Sequence, residues 1–217
     1  MSRTISTTLW LTDIDGVRLA DLSDSLIAGT IEMNVDRDAG KLSASFTIKN
    51  PSGITPYANY FAPTLTIEYD DGRETIEKPL GFYMVRTPTA DRTVERNEAV
   101  YQCEDLTRLL SYSAYTAVDN VAASTGVITE VGATIAEAGI SLYAFPSNAT
   151  TTTKALTYPI GTTRLEKAND LLSSIGWYAL YPRLDGRLTS KPYIDLGKTQ
   201  PVATLTDADI LGPIATQ

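Results

Sequence analysis

Histidine is absent from this sequence, and cysteine occurs once. The first absence removes the Ser-His-Asp triad, the Cys-His pair and almost every catalytic zinc site, each of which needs an imidazole as base or ligand. The second excludes an intramolecular disulfide framework and any multi-cysteine metal centre. Cys103 itself follows an apolar residue at two positions' distance in a strand pattern and reads as a small core filler. Long apolar runs are lacking too. "GWYALY", 176 to 181, falls far short of the roughly 20 residues that span a bilayer, so no membrane insertion is expected. The opening "MSRTISTTLWLTDIDG" has neither an apolar stretch of signal-peptide length nor a small-residue cleavage site, which predicts synthesis in the cytosol without a secretory signal. Basic residues are in deficit, 18 against 26 acidic, for a net charge of −8. That balance disfavours sequence-independent nucleic-acid binding, which depends on neutralising phosphates. No glycine-rich phosphate loop is present, since "GTTRLEKA" lacks both the spacing and the Lys-Ser/Thr ending.

What is present is an ordinary globular composition, 43% hydrophobic and 20% charged over 217 residues, enough for one large domain or two small ones. Period-two alternation dominates the first hundred residues. Ile31, Met33 and Val35 share one strand face, and so do Leu42, Ala44, Phe46 and Ile48, with "DAG", 38 to 40, as the turn between them. After a turn-rich stretch, 50 to 63, Leu65, Ile67 and Tyr69 mark a strand that turns at Asp-Asp-Gly and returns. "LGFYMVRT" and "ERNEAVYQCE" add two more and, with "TLWLTD" and "VRLA" near the start, six to eight short strands fall before residue 104 at barrel or sandwich spacing.

At "VYQCEDLTRLLSY", 100 to 112, the period changes. Asp105 is placed to cap a helix carrying Leu106, Leu109 and Leu110. A second helix is predicted over 125 to 138, with Val127, Ile128, Val131 and Ile135 inward and Gly139 as its stop. Thr163 and Glu166 form a capping box for a third, whose stripe is Leu165, Ala168, Leu171, Leu172 and Ile175. "WYALYPRLDGRLTSKPYI" returns to strands around an Asp-Gly turn. The fold class is therefore α+β: an all-β unit over 1–104, a smaller α/β domain over 105–194, and a weakly patterned C-terminal segment, 195–217, that could start a further element.

Candidate chemistry is sparse. "DIDG", 13 to 16, begins like a calcium loop, but Val17 stands where a third oxygen ligand belongs and no glutamate follows at position twelve, so it reads as a turn. Asp70 and Asp71 beside Gly72, and Asp36 and Asp38 at the earlier turn, are turn residues rather than an acid–base pair. Trp177, Tyr178 and Tyr181, with Tyr57, Tyr60 and Phe61, fit core and subunit contact on alternate faces, with a sugar-binding platform as the alternative. No enzyme is expected, and no metal or cofactor.

The order of the pieces carries more. "PLGFYMVRTPTADRTVERNEAVYQCEDLTRLLSYSAY" resembles the phage tail hub or baseplate hub family in two features. A Gly-x-Phe/Tyr-x-Val strand (Gly81, Phe82, Tyr83, Val85) is followed by a strand ending in an acidic residue that opens a helix (Asp105, with Leu106 and Leu109). The helix ending "AEAGI", the threonine-rich loop and "TTRLEKANDLLSSIGWYALYPRLDGRL" resemble the α/β domain of such hubs and of the related spike-base proteins of contractile injection systems. The likeness covers about residues 25 to 193.

The resemblance implies a virion protein of the tail tip, made in the host cytoplasm. In this picture 1–104 is an antiparallel β-barrel of tail-tube type, and 195–217 either starts a second barrel or ends a minimal hub. The chain would form a homo-oligomer, a trimer, in a ring that joins the distal tail tube or distal tail ring protein to a tip or spike protein. Such a ring lines a channel for passing DNA, which its acidic wall does not bind. Asp36, Asp38, Asp70, Asp71, Glu74 and Glu77 become candidate lumen-facing acids, and Tyr57, Tyr60 and Phe61 candidate subunit-contact aromatics. The alternatives from other classes are a carbohydrate-binding module for host adsorption and a carboxylate enzyme acting on the cell wall.

Overall fold

The computed structural model describes residues 3–34, 40–69, 74–92 and 97–193. Nine strands precede the first α-helix: β1 (Arg3–Thr12), β2 (Arg18–Asp21), β3 (Leu26–Met33), β4 (Leu42–Lys49), β5 (Tyr60–Tyr69), β6 (Ile76–Pro79), β7 (Tyr83–Val85), β8 (Thr89–Arg92) and β9 (Asn97–Glu104). They make one antiparallel sheet in the order β2-β1-β5-β7-β9-β4-β3. The run from β6 to β8 crosses it diagonally: β6 pairs with β5, β7 with both β5 and β9, and β8 with β9.

Among the described residues these strands do not close into a barrel. Among the described residues no ladder joins the edge strand β3 to β1 or β2. β3 carries a register irregularity between Leu26 and Ala28, where an extra residue bends a strand. A groove of 330 Å³ lies between β3 and the β1–β5 pair, lined by Thr7, Ile27, Gly29, Ile31 and Pro63 among others. The face expected to be buried on β3 is in consequence open: Ile31 and Met33 pair with the buried Ala44 and Leu42 yet remain exposed.

The α-helices are α1 (Leu106–Tyr112), α2 (Val127–Glu137) and α3 (Arg164–Ser174). Their caps follow the sequence. Asp105 accepts from the Thr107 amide at 2.7 Å, and Thr163 with Glu166 closes a complete capping box. Two small ladders accompany them, β10 (Asp119–Val121) with β11 (Leu156–Tyr158), and β12 (Tyr181–Pro182) with β13 (Leu188–Thr189). The strands expected after Trp177 shrink to this last pair, because the Trp177 and Leu180 side chains go to the helical core and the intervening backbone bends to put them there.

Two cores result. One lies on the sheet and includes Leu9, Leu11, Leu42, Phe46, Phe61, Tyr83 and Cys103. The other joins the sheet to the helices, setting Tyr60, Phe82 and Met84 against Leu106, Leu110, Val131, Ile135, Leu171 and Leu172. Period-two geometry explains how one strand serves both: Tyr83 and Val85 point into the first core, Phe82 and Met84 into the second. No helix among the described residues is long and apolar enough to cross a membrane.

Candidate interaction site

The strand-to-helix step at Glu104 and Asp105 is fastened by side chains. Asp105 is fully buried. Besides capping α1 it accepts from the Leu42 amide at 2.6 Å and from the Thr107 hydroxyl, while its own amide donates to the Leu42 carbonyl at 3.0 Å. Thr107 in turn accepts from the Gly40 amide at 2.8 Å. Burial pushes the Asp105 carboxyl above its ordinary range, opposed by the hydrogen bonds it accepts from Thr107 and Leu42. This arrangement satisfies the helix end and a neighbouring strand with the same group, so the seam has no slack.

On the outside of the seam sits a polar, aromatic face. Glu104 is held by two arginines, Arg86 at 3.1 Å and Arg108 at 3.3 Å, so the trio has one positive charge in surplus. The Arg108 guanidinium also donates to the Tyr112 hydroxyl at 3.1 Å and lies 5.0 Å from the centre of that ring. Tyr57 is exposed and adopts φ +63°, a left-handed conformation that a side chain of this size rarely takes. Hydrogen bonds with Thr87 and Arg86 lower its phenol below the ordinary tyrosine value. Half of the Tyr57 and Tyr112 surfaces is open to solvent.

At the other end of β5 the sheet runs off its core as an arm made by the first half of β1, the end of β5, and β6. Ile5, Ile67 and Ile76 stand side by side across the three strands. They share a face with Leu9, Leu11 and Phe61, which are buried, but Ile5 is 53% and Ile76 37% exposed. Thr4, Glu68, Thr66 and Glu77 occupy the opposite face. The arm is amphipathic, with Ile5 and Ile76 exposed and Ile67 half-buried between them.

Of the acids singled out from sequence, Asp36, Asp38, Asp70 and Asp71 lie outside the described residues. Glu74 and Glu77 are exposed on or beside β6. Of the three candidate subunit-contact aromatics, Tyr57 alone is exposed. Tyr60 is stacked on Phe82 at 5.1 Å in the helical core. Phe61 is wholly buried and meets Phe46 and Tyr101 edge to face at 5.5 and 5.6 Å. Both are core residues rather than subunit contacts, because adjacent positions on β5 face the two cores. The "DIDG" segment is a turn: Asp13 accepts from the amides of Asp15 and Val17 at 3.0 and 2.8 Å.

Two further features bear on function, the first of them taking in Tyr178 and Tyr181, two of the aromatics with a sugar-binding platform as their alternative reading. A groove of 510 Å³ lies between Met33, Lys41 and Leu42 on one side and Tyr178, Tyr181, Lys191 and Tyr193 on the other. Tyr178 and Tyr193 stand edge to face at 4.4 Å and are both exposed. The second feature is Lys167 on α3, 1% exposed, whose Nζ donates to Asp119 on β10 and Glu130 on α2, each at 2.6 Å. The rings of Tyr115 and Tyr158 lie 5.4 and 5.7 Å away. Burial alone lowers the pKa of an ammonium, but the bonds to Asp119 and Glu130 more than offset it, so the net shift is upward and the lysine stays charged. Nothing local marks Lys167, which stands with Glu166 between the stripe residues Leu165 and Ala168.

No protein-family model matches this sequence, and a search of curated proteins finds no relative. Solved structures do match the fold. The tail protein from Neisseria meningitidis MC58 superposes with a TM-score of 0.57 at 14% identity, over 85% of this chain and 50% of its own. The 43 kDa tail protein of prophage MuSo2 from Shewanella oneidensis gives 0.52 at 12% identity, over 84% and 52%. The chain thus spans about half the length of the solved tail proteins it matches. At these identities the likeness is one of architecture: the chain has the fold of phage tail proteins.

Proposed function

We propose that the chain is a structural component of a phage tail tip, or of the equivalent part of a contractile injection system. In this reading copies of it, three to a ring, join the distal tail tube to the tip or spike and surround the channel through which DNA passes. The observation that carries the reading is the fold match to two tail proteins over 84% or more of the chain. The organisation that goes with it is a tube-like unit over 1–104, an outer α/β unit over 105–194, and a C-terminal segment, 195–217, leading toward a second barrel. Adjacent copies would close what the open sheet leaves open. A net charge of −8 suits a channel that must not hold DNA, since each neutralised phosphate strengthens binding. Asp36, Asp38, Asp70, Asp71, Glu74 and Glu77 are the acids proposed for the channel side. Enzymatic activity has no part in this reading.

Cryo-electron microscopy of intact particles, with this chain fitted into the tail, tests it. Three copies at the distal end of the tube are expected. Six copies would make the chain a distal tail ring instead, and absence from the tube axis would overturn the hub.

A second reading rests on the tyrosine-lined groove. Exposed Tyr178 and Tyr193, with Lys191 5.9 Å from the Tyr178 ring, offer the flat apolar faces and polar rim that a sugar ring stacks on. That reading predicts saturable binding of cell-wall glycan by the chain, lost in Tyr178→Ala and Tyr193→Ala. A flat titration excludes it.

A further inference from the structure

We propose that the tyrosine-lined groove takes an acidic glycan, a chain of sugar rings bearing carboxylate or phosphate groups, with Lys41 and Lys191 reading its charge. The inference rests on the sugar-platform reading above and names the class of sugar.

Three observations on the molecule carry it. The first is extent. A second groove, of 430 Å³, adjoins the first and is lined by Phe145, Pro146, Arg183 and Thr189 among others; the two share Tyr181 and Lys191 as a common wall. Each alone is the size of a small-molecule site, and the two run together as a trough for a chain of rings rather than for one.

The second is sign. The chain carries a net charge of −8, yet among the described residues lining the two grooves the charged ones are Lys41, Lys191 and Arg183, with no carboxylate. Arg183 is paired with Asp185 at 3.1 Å. Neither lysine has a carboxylate partner among the described residues. Two like charges at a concave surface focus the local field and draw an anion in, and a neutral glycan would leave them unanswered. The lysine ammonium is a point charge that suits carboxylate and phosphate alike.

The third is stiffness. The Tyr178 amide donates to the Lys191 carbonyl at 3.0 Å and the Tyr193 amide to the Gly176 carbonyl at 2.9 Å. The Ser190 hydroxyl donates to the Tyr178 carbonyl. Two exposed rings and a cation are thus presented from one bonded pair of segments, so little ordering is left to oppose binding. Single-stranded DNA also stacks on tyrosine, but it carries a phosphate for every base and needs a continuous cationic track, which two lysines on an acidic protein do not supply. A glycan with an acid on only some of its rings matches rings and charges together.

The test uses the purified full chain on an array of bacterial surface oligosaccharides, neutral, uronate-bearing and phosphate-bearing, with bound members titrated by calorimetry in low and high salt. Oligothymidylate and polyglutamate are titrated alongside. Acidic glycans should bind saturably and about tenfold more tightly than neutral ones in low salt, a preference that fades in high salt. Lys41→Gln and Lys191→Gln should each weaken acidic binding about two- to fivefold, and the double variant should hold acidic and neutral glycans alike. Lys49→Gln, which removes an exposed cation at the end of β4 outside both grooves, should bind as wild type does. Neutral glycans bound as tightly as acidic ones, or acidic binding untouched in the double variant, would overturn the inference and leave the sugar platform standing. Binding of no glycan at all would remove both. Oligothymidylate or polyglutamate held as tightly as the glycans would show a general anion trough and overturn the sugar class.

Discussion

Lys167 gives the sharpest test of how the helical unit is held together. Replacing it with methionine keeps most of the side-chain volume on α3 but deprives Asp119 and Glu130 of the ammonium at 2.6 Å from each. Removing one partner of a buried ion pair costs about 3–5 kcal/mol, mainly because the remaining charge is left uncompensated. Here the carboxylate side chains keep 28% and 22% of their exposure, so some water reaches them and the low end, about 3 kcal/mol, applies. With a urea slope of about 2–3 kcal/mol per molar for a chain of this size, the midpoint should fall by about 1 M or slightly more. The triple variant Lys167→Met, Asp119→Asn, Glu130→Gln removes all three charges and should recover at least about half of that loss, since an uncharged packed substitute is often as stable as the pair. Urea unfolding followed by circular dichroism and by tryptophan fluorescence provides the assay, Trp177 lying in the same core. A single-variant loss below about 1 kcal/mol, or a triple variant no better than the single, would refute the claim that paired burial sets the stability of this unit.

Other outcomes follow from particular groups. Burial raises the Tyr60 phenol from 10.0 to about 12, so the folded chain keeps its proton where the unfolded chain loses it. That contribution is complete below pH 10 and is lost as pH rises toward 12, by about 2–3 kcal/mol. Tyr60→Phe should remove this part of the alkaline loss, and identical stability–pH curves from 9 to 12 would contradict it. Gly81→Ala places a Cβ 2.5–2.7 Å from atoms of the Tyr83 ring, on a backbone at φ +127°. Tyr83 is fully buried and cannot swing aside, so strain and overpacking together should cost about 2–5 kcal/mol in urea unfolding. A loss under 1 kcal/mol would show that the ring gives way.

Much of the architecture was legible because it rests on local periodicity. Leu42, Ala44, Phe46 and Ile48 alternate with polar neighbours and are buried as that alternation requires, and the Thr163–Glu166 box opens α3 at the residue where it is read. Asp105 was legible as a cap but not as the acceptor for Leu42, because that contact joins residues 63 apart. Tyr60 and Phe61 misled for a related reason. Their spacing fits a strand that buries one face, whereas this one has cores on both sides, the second supplied by helices that come later in the chain. Lys167 meets its partners 48 and 37 residues away, beyond any local window. Whether the sheet closes is likewise set by how β3 approaches β1, a long-range relation that alternation does not encode.

The seam at Asp105 has a mechanical consequence. Conformational change within a chain usually pivots on a few loop residues free to alter φ and ψ. Here a single residue, Asp105, separates the end of β9 from the start of α1, and this cap is bonded to the backbone of β4. A push on the helices is passed to two adjacent strands of the sheet at once, with no joint to absorb it. In the proposed ring, such parts would shift as whole copies against one another, so a signal would travel as stiff displacement around it rather than as bending within each protein.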